Sequence, residues 1–425
     1  MKGKTKRTKT NKPICSKNNK GITLIALILT IIVLLILAVV AISAVKGDGI
    51  ISHAKNAKED YTKAQANEKS TLQGYLGQLD ELASRKVKNN LNKVLSTGGN
   101  ITLEDDFGNK IKVPAGFKII TKTDTENTDL NYTADTIDVT KGIVVEDGEG
   151  NQFVWIPVGK IYTDADKTEA NAKTITLGRY VFKSDGTIDT ALSQSKPEGQ
   201  LKEASAISNY YTEGKKNETT TNAHAKNIED FISKTNASGG YYIGRYEARV
   251  ENYDTISTSN SDNSEDWTGY VAESGKNLKL VSKANSQVWN LVTQKKASSL
   301  CQSMYTSNLF TSDLVNSYAW DTAIIFFQEF GENTKYSRKK SVNSSFANTG
   351  TSGTNYTGTP DKICNVYDMA SNCWEWSTET CSLSNYPCTD RAGSYNYGGI
   401  CTSNRDGYVT TSAYLPTSFR PLLYM

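Results

Sequence analysis

The hydrophobic pattern of this chain is dominated by one apolar segment close to the N-terminus. Over residues 22–45, 24 consecutive residues carry no charge, and most of them are Ile, Leu, Val or Ala. A helix of about 20 apolar residues is long enough to cross the hydrocarbon core of a bilayer. The 21 residues before this segment contain eight Lys and Arg and no acidic residue. Because basic flanks stay in the cytoplasm, we expect a transmembrane helix over 22–45, with the rest of the chain outside the cell.

A glycine separates this basic leader, residues 1–21, from the apolar segment. The order of a basic leader, Gly21 and a hydrophobic helix that begins with Ile22 resembles the N-terminus of type IV prepilins and pseudopilins. The resemblance implies that a prepilin peptidase cuts after Gly21 and N-methylates Ile22. A secretory signal peptide is one alternative, although its apolar core usually spans only about 7–15 residues. A plain signal anchor is the other alternative.

The apolar segment departs from the pilin pattern at its fifth position. Type IV pilins usually carry Glu there, which pairs with the N-terminal ammonium of a neighbouring subunit, because a charge inside lipid is costly unless it is paired. This chain has Ala26 instead. The change is compatible with membrane anchoring, weakens the prediction of assembly with other pilin subunits, and favours a minor or tip-located subunit.

A helical pattern follows the apolar segment. Between about residues 50 and 95, apolar residues recur at three- and four-residue spacing, which is typical of a helix with one apolar face. They are Leu72, Tyr75, Leu76, Leu79, Leu82 and Ala83. We predict a helical stalk over 46–99 that packs on a globular head as in pilins. A short coiled-coil seam is the alternative.

From Asn100 onwards the pattern changes to short β-type runs. Residues 101–103, 110–113 and 117–120 are bounded by Gly, Asp and Pro, as strands often are. Polar loops rich in Ser, Thr and Asn follow, and the longest covers about 331–360. The fold class predicted for the whole chain is α+β, with a long N-terminal helix followed by a globular head over 100–425.

Charge limits the choice of partners. The chain has a net charge of +3, and because the leader holds eight positive charges, the mature chain carries −5. The exported part has no basic stripe of the kind that nucleic-acid binding needs, so we predict no nucleic-acid partner.

Cysteine usage agrees with export. Six of the seven cysteines lie in the head, at positions 301, 364, 373, 381, 388 and 401. An even number in an exported protein favours disulfides, and we expect at least one within 373–401. Six buried free thiols are the alternative. No pair has the CxxC spacing of a structural zinc site.

Several motifs in the head occur together. They are VPAGF at 113–117, GNQFVWIPV at 150–158, GYYIGRYEA at 240–248, YAWD at 318–321, NVYDMASNCWEW at 365–376, RAGSY at 391–395 and SFRP at 418–421. This set resembles the formylglycine-generating-enzyme family, the sulfatase-modifying factors. The resemblance spans about residues 110–425 and implies a C-type-lectin-like fold for the head.

Much of the motif at 365–376 is expected to support the fold. Trp374 and Trp376 supply large apolar area, and their indole N–H groups need partners when they are buried. Asn365, Asp368 and Asn372 suit turns, because short polar side chains bond the local backbone.

Three charged residues of the other motifs are also expected to be structural. We predict that Arg420 anchors a C-terminal strand through buried hydrogen bonds. We also predict that Arg245 and Glu247 form an internal charge pair.

The resemblance does not extend to the family's catalytic site. In its oxidases, two cysteines near the C-terminus bind copper, and the first follows a Gly-Ser-Tyr-like string by two residues. Tyr397 occupies that position here, and Cys401 falls near the second. One thiolate is a poor site for copper(I), and His224 is the only histidine beyond the predicted stalk. We therefore predict that the protein is not an enzyme. We predict no cofactor, and the sequence leaves a structural calcium ion open.

Binding is the function that composition favours. The stretch from Thr380 to Tyr414 is rich in Tyr, Asn and Ser, which give adaptable binding surfaces amphipathic area and hydrogen bonds. The candidate ligand-binding residues are Asn385, Tyr386, Tyr395, Asn396, Tyr397, Ser403, Asn404, Asp406, Tyr408 and Tyr414. Ordinary polar loop composition is the alternative. The arrangement also resembles the variable proteins of diversity-generating retroelements, and this resemblance implies diversified C-terminal codons.

The predicted function is an adhesin or receptor on the cell surface, either membrane-anchored or associated with a type IV pilus. Its N-terminus is expected in the cytoplasm, and its head outside the cell is expected to bind a protein or a glycan. A pilin or pseudopilin subunit with a purely structural head is the first alternative, and an exported oxidase is the second.

Overall fold

The structure, a computed structural model, describes residues 24–46, 53, 55–69, 71–72, 99–122, 129–202, 209–213, 224–284, 286–341 and 361–425. The chain divides into two compact units, Met1–Ser84 and Arg85–Met425. The division falls inside the stalk predicted over 46–99. The processing site at Gly21 and Ile22, the apolar stripe beyond Leu72, and most of the long loop over 331–360 lie outside the described residues.

The first unit contains the predicted apolar helix. Helix α1 covers Leu24–Lys46, and helix α2 covers 55–69. Within α1, Leu24–Ile42 is apolar on all sides, and its side chains are exposed. A helix that is apolar all round suits a lipid environment. Among the described residues this is the one helix long and apolar enough to cross a membrane, and it meets the requirement for either an anchor or a signal sequence.

The second unit is a β-rich globular domain with three α-helices among its described residues. They are α3 (Ile228–Ser238), α4 (Gln294–Ser303) and α5 (Ser317–Phe330). Short 3₁₀ helices cover Val139–Lys141, Glu169–Asn171 and Tyr336–Arg338. The α-helices begin at polar caps, where the side chain of Asn227, Thr293 or Asn316 accepts a hydrogen bond from a backbone N–H of the first turn. The chain is thus a mixed α+β protein, as predicted.

The strands are short and spread over the whole unit. They are β1 (Ile101–Glu104), β2 (Lys110–Val113), β3 (Phe117–Ile119), β4 (Val144–Asp147), β5 (Gln152–Pro157), β6 (Gly159–Ile161), β7 (Lys173–Ile175), β8 (Tyr211–Thr212), β9 (Gly240–Gly244), β10 (Arg249–Glu251), β11 (Tyr253–Ile256), β12 (Tyr270–Ala272), β13 (Lys279–Val281), β14 (Gln287–Val288), β15 (Thr311–Leu314), β16 (Lys362–Ile363), β17 (Val366–Tyr367), β18 (Trp374–Cys381), β19 (Cys388–Arg391), β20 (Arg405–Tyr408), β21 (Thr417–Phe419) and β22 (Pro421–Tyr424). The three runs predicted at the start of the head are β1, β2 and β3, and they are confirmed.

Two larger sheets organise these strands. The first is antiparallel, in the order β15-β22-β9-β5-β4-β3, so the last strand of the chain, β22, lies between β15 and β9. The second has the order β20-β19-β18-β21, with β8 also paired to β18. Strands β18 and β21 run parallel, and the other pairs of this sheet are antiparallel. Smaller sheets are formed by β13-β10-β14 and by the pairs β1-β2, β6-β7, β11-β12 and β16-β17.

Two apolar clusters hold the unit together. The larger one includes side chains from the six-stranded sheet and from α5, among them Trp155 and Trp320. The smaller one contains Trp289, Trp376 and Phe419. The indole N–H of Trp376 donates to the carbonyl oxygen of Val292 at 2.8 Å, which satisfies its polar group in the core. The predicted structural role of Trp376 is therefore confirmed.

The turns of the motif at 365–376 also follow the prediction. Asn365, Asp368 and Asn372 all have a φ of 63°, in the left-handed region. Asn and Asp occupy this region more often than other residues with a side chain do. The predicted bonds to the local backbone are not the ones observed: Asn365 donates to the carbonyl oxygens of Lys141 and Gly142, at 3.0 and 2.9 Å, and Asn372 donates to Glu247. The motif therefore supplies the sharp turns that lead into β18.

Arg420 has the predicted anchoring role. It lies between β21 and β22 and is fully buried. Its Nε and Nη2 donate to the two carboxylate oxygens of Glu375, at 3.0 and 2.6 Å. Its Nη1 and Nη2 also donate to the carbonyl oxygens of Gly244 and Tyr367, each at 2.8 Å. One side chain thus ties β18, β9 and β17 to the C-terminal strands.

The predicted pair of Arg245 and Glu247 is wrong. Arg245 pairs instead with Asp129, and its guanidinium lies over the ring of Tyr367. Glu247 accepts a hydrogen bond from the backbone N–H of Cys373 at 3.0 Å. The two side chains therefore have separate partners, which come from distant parts of the chain.

Candidate functional site

Four aromatic side chains form a continuous surface beside the second sheet. We call Tyr397, Trp374, Tyr408 and Tyr414 the aromatic row. Successive ring centroids are 5.0 Å apart from Tyr397 to Trp374, 6.4 Å from Trp374 to Tyr408, and 5.6 Å from Tyr408 to Tyr414. Tyr397 is 57% exposed and Tyr414 is 49% exposed, whereas Trp374 is largely covered. Because these spacings are those of interacting aromatic pairs, the row is one contact surface.

Strand register places Trp374 and Tyr408, the two members of the row that lie in strands, on one face of the sheet. Trp374 and Trp376 are two residues apart in β18, and Asp406 and Tyr408 are two residues apart in β20. Side chains two residues apart in a strand point to the same face. The ring of Trp376 meets that of Tyr408 edge to face at 5.8 Å, which shows that the two pairs share a face.

Two aspartates lie across from each other on this face. In the register of the sheet, Asp390 of β19 is directly opposite Asp406 of β20 on one side and Trp376 of β18 on the other. The carboxyl group of Asp390 is buried, and no described residue gives it a hydrogen bond at either oxygen. Asp406 is exposed. Burial and then the charge of Asp406 raise the pKa of the Asp390 carboxyl well above its usual range, and Arg391 offsets this only in part.

The opposite face of the same sheet carries a buried network of charges. Arg391 donates to Asp321 of α5 at 2.6 Å, and Arg405 donates to Glu379 of β18 at 2.9 Å. Arg179 also pairs with Glu379, at 3.3 Å. Burial alone would raise the pKa of the Glu379 carboxyl, but the three arginines together hold it below its usual value. Since every charge of this network has a partner, we assign it a structural role.

Several of the predicted binding residues belong to the row or adjoin it. Tyr397, Tyr408 and Tyr414 are members, and Asp406 lies on the same face. Asn396 is exposed beside Tyr397, and the hydroxyl of Ser394 donates to its Oδ1 at 2.8 Å. The sequence-based prediction therefore includes most of a contiguous surface.

Other predicted residues are separate from the row. Asn385 and Tyr386 are exposed in the turn between β18 and β19. A side chain at Gly407 would meet the carbonyl oxygen of Tyr386 at 2.9 Å, and such a side chain would point away from the face of Tyr408. Tyr386 thus lies against the face of β20 that is opposite to the face carrying the row.

Three predicted residues are partly or fully covered. Ser403 is only 4% exposed, and its backbone N–H donates to the carbonyl oxygen of Ser337 at 3.1 Å, so its inclusion in the binding set is corrected. Asn404 is half-buried, and its carbonyl oxygen accepts a hydrogen bond from Arg391 at 3.0 Å. Tyr395 is half-buried, and its backbone N–H donates to the carbonyl oxygen of Asn372.

Two residues of this surface lie outside the predicted binding set. Trp374 is buried, as predicted, and its ring also forms the middle of the row. Asp390 lies in the Tyr-rich stretch but outside the predicted set. The alternation of side chains along β19 indicates its position. Asp390 is two residues from the buried Cys388, so both point to the same face, and it lies opposite Asp406.

The cysteines do not form the predicted disulfide. All six cysteines of the head are described, and each is a free thiol. Cys373, Cys381 and Cys388 are buried, where a thiol packs as a small apolar group. Cys364 is also buried, and burial raises the pKa of its thiol to about 12, so it stays protonated at neutral pH.

The positions of the family's copper ligands do not fit copper here. Tyr397 presents an exposed phenol to the row, and Cys401 is half-buried in a strand bridge with Lys340. A single thiolate without a second soft ligand is a poor copper(I) site. The described residues contain no group of three or more His, Cys, Asp or Glu side chains arranged for a metal ion.

A cleft of about 410 Å³ lies elsewhere in the head. Three lysines line it together with Tyr336, but Lys339 is paired with Asp361, and Lys362 is paired with Asp129. The cleft contains none of the predicted binding residues.

No family model matches the chain, and neither the curated proteins nor the solved structures contain a significant match.

Proposed function

We propose that this protein is a surface-exposed adhesin or receptor, anchored by its N-terminal helix, whose head binds a ligand through the aromatic row. The observation that carries the proposal is the row itself. Its two ends, Tyr397 and Tyr414, are about half exposed. Exposed Tyr and Trp are enriched at recognition surfaces, because a rigid ring gives large contact area at a low entropy cost.

The position of the row on the domain supports the same proposal. The strands that carry Trp374 and Tyr408 are fixed from behind by the buried charges of Arg391, Arg405 and Glu379. Recognition residues are most effective when a rigid scaffold holds them in place. A surface held in this way loses little conformational entropy when a ligand binds.

The finer features of the proposal come from the resemblances in the sequence. The head is proposed to have a C-type-lectin-like fold, and the N-terminus to be processed by a prepilin peptidase after Gly21. In this arrangement, the N-terminus lies in the cytoplasm and the head lies outside the cell, in the membrane or in a pilus. The replacement of a copper-ligand position by Tyr397 supports binding over catalysis.

The experiment is a binding screen with the full-length chain in detergent micelles, on arrays of glycans and of proteins. The variants Tyr397→Ala and Tyr414→Ala each shorten the row at one end. The control is Tyr61→Ala, which removes an exposed tyrosine of α2. We expect at least one array member to bind the native chain and the control, and to lose binding with both row variants. Binding that is unaffected by the row variants, or no binding at all, would contradict the proposal.

A further inference from the structure

The face of the sheet that carries the row has two carboxyl groups side by side and no basic residue among their strand neighbours. Asp390 and Asp406 are direct cross-strand neighbours. Like charges directly opposite each other in a sheet are destabilising. A buried carboxyl group without a hydrogen-bond donor is also costly, and such a group in a native structure points to a missing partner. Both oxygens of Asp390 are in this condition with respect to the described residues.

Among the described residues, no strand neighbour of Asp390 brings a positive charge to this face. The cationic neighbour of Asp390 along the chain is Arg391, whose side chain points to the opposite face and pairs with Asp321 and Glu379. On β18, the neighbour of Asp390 is the uncharged Trp376. On β20, the neighbours on this face are Asp406 and Tyr408, which bring no positive charge.

The chemistry of the face favours an organic cation over a metal ion. Calcium takes about six to eight oxygen ligands, whereas this face offers two carboxylates. Most of its remaining surface is aromatic, from Trp374, Tyr397 and Tyr408. Aromatic faces attract ammonium and guanidinium groups through the ring quadrupole, and a neighbouring carboxylate adds to this attraction.

The exposure of the row indicates how such a cation is presented. Tyr397 and Tyr414 are exposed at the two ends of the row, as are anchor residues of protein interfaces. The mature chain is acidic, which favours encounter with a basic protein surface. These observations favour a side chain presented by a protein over a free small molecule.

We propose that the aromatic row and Asp406 receive a basic side chain, a lysine ammonium or an arginine guanidinium, from a partner protein. This inference rests on the proposed function of the row. The cation lies against the rings and contacts Asp406. Asp390 lies beneath this contact and acts as a positioning residue, whose ionised form the bound cation stabilises.

The test uses the full-length chain in uncharged detergent micelles at physiological salt. The probe is a fluorescent hexapeptide of alternating Lys and Ser. The control peptide has the same sequence with every lysine acetylated. Fluorescence anisotropy gives the affinity of each variant. We expect the lysine peptide to bind and the acetylated peptide to bind at least about fivefold more weakly, since the loss of one exposed cation–π contact corresponds to about that factor.

Matched variants separate this site from general charge attraction. Asp406→Asn is expected to weaken binding about fivefold, while Asp166→Asn, which removes an exposed carboxylate between β6 and β7, leaves it unchanged. Tyr397→Phe keeps the ring and is expected to keep the affinity, whereas Tyr397→Leu loses about fivefold. Equal effects of the two aspartate variants, or full binding by Tyr397→Leu, would overturn the proposal.

The role of Asp390 has its own readout. Burial raises the pKa of the Asp390 carboxyl, and a bound cation favours its ionised form, so we expect peptide binding to release protons. Calorimetry in two buffers of different ionisation enthalpy measures this release. The release is expected to disappear in Asp390→Asn, a variant with nearly the same shape. A native chain that releases no protons, or a variant that still releases them, would refute the role of Asp390.

Three further outcomes complete the test and separate the inference from the proposed function. Phosphatidylcholine vesicles carry a quaternary ammonium group, and binding to them in preference to the peptide, with the same dependence on Asp406, would replace the protein partner with a membrane. If binding of the array ligands depends on the row, but acetylation of the ligands' lysines and the variant Asp406→Asn leave the affinity unchanged, the inference fails and the proposed function stands. If no array ligand needs the row, the proposed function fails.

Discussion

The buried pair of Arg420 and Glu375 allows a sharp test of how the head is held together. Arg420→Met keeps a long side chain but removes the donors to Glu375 and to the carbonyl oxygens of Gly244 and Tyr367. Removal of one partner from a buried ion pair costs about 3–5 kcal/mol, because it leaves the other charge unpaired. We therefore expect the free energy of unfolding to fall by about 4 kcal/mol, out of the roughly 5–15 kcal/mol that is typical of a domain.

The same variant makes a prediction about pH. Burial raises the pKa of the Glu375 carboxyl, and Arg420 counteracts this shift. Without Arg420, the folded-state pKa rises further above the unfolded value. A raised carboxyl pKa contributes stability at low pH that is lost as the pH rises through the folded pKa. The deficit of Arg420→Met relative to the native chain should therefore grow from acidic to neutral pH.

The assay is thermal and urea unfolding of the full-length chain in micelles, followed by tryptophan fluorescence. The double variant Arg420→Met/Glu375→Gln removes the unpaired charge and should recover part of the loss. Lys340→Met, at an exposed position, is the control and should change stability by less than about 0.5 kcal/mol. A loss below about 1 kcal/mol for Arg420→Met at every pH, or no recovery in the double variant, would refute the reasoning.

Three other predictions test separate features of the chain. Gly21→Leu should block cleavage while the protein still inserts into the membrane, and N-terminal mass spectrometry should find Ile22 as the mature start only in the native chain; a native start at Met1 would contradict the pilin-like processing. Trp376→Ala should destabilise the head by about 3–5 kcal/mol, since it removes a buried ring, while Tyr397→Ala costs much less; equal losses in melting temperature would place Tyr397 in the core. Burial raises the pKa of Asp313 to about 7 from the usual 3.8, so its contribution to stability is full below about pH 4 and is lost as the pH rises to about 7. Asp313→Asn should flatten the pH dependence of urea unfolding over that interval, and an unchanged slope would show that Asp313 titrates normally.

Local signals in the sequence predicted the local structure well. The runs that became β1, β2 and β3 are short, β-branched and bounded by turn residues, and these properties act over a few residues. The left-handed turns at Asn365 and Asp368 follow from the tolerance of Asn and Asp for this backbone region. The apolar helix follows from its length and lack of charge.

Long-range pairing was not predictable from one sequence. Arg245 finds Asp129 at a separation of 116 residues, although Glu247 is two residues away. Ser403 lies in a stretch with the composition of a binding loop, but it is buried, and its backbone N–H donates to Ser337 of the distant 3₁₀ helix. For the site, composition identified Tyr397, Tyr408 and Tyr414. The register of β18 and β19 was needed to add Trp374 and Asp390, because a face of a sheet is defined by several strands together.

The alternation of side chains along β18 has a consequence for how this protein can evolve. Its even-numbered residues Trp374 and Trp376 point to the face of the sheet that carries the row. Glu375 points to the other face and binds Arg420. Substitutions at exposed positions of the row, such as Tyr397 or Tyr414, therefore leave the buried ion pairs untouched. If the row binds a ligand as proposed, it can vary under selection while the scaffold stays constant, and one fold can acquire new partners without passing through unfolded intermediates.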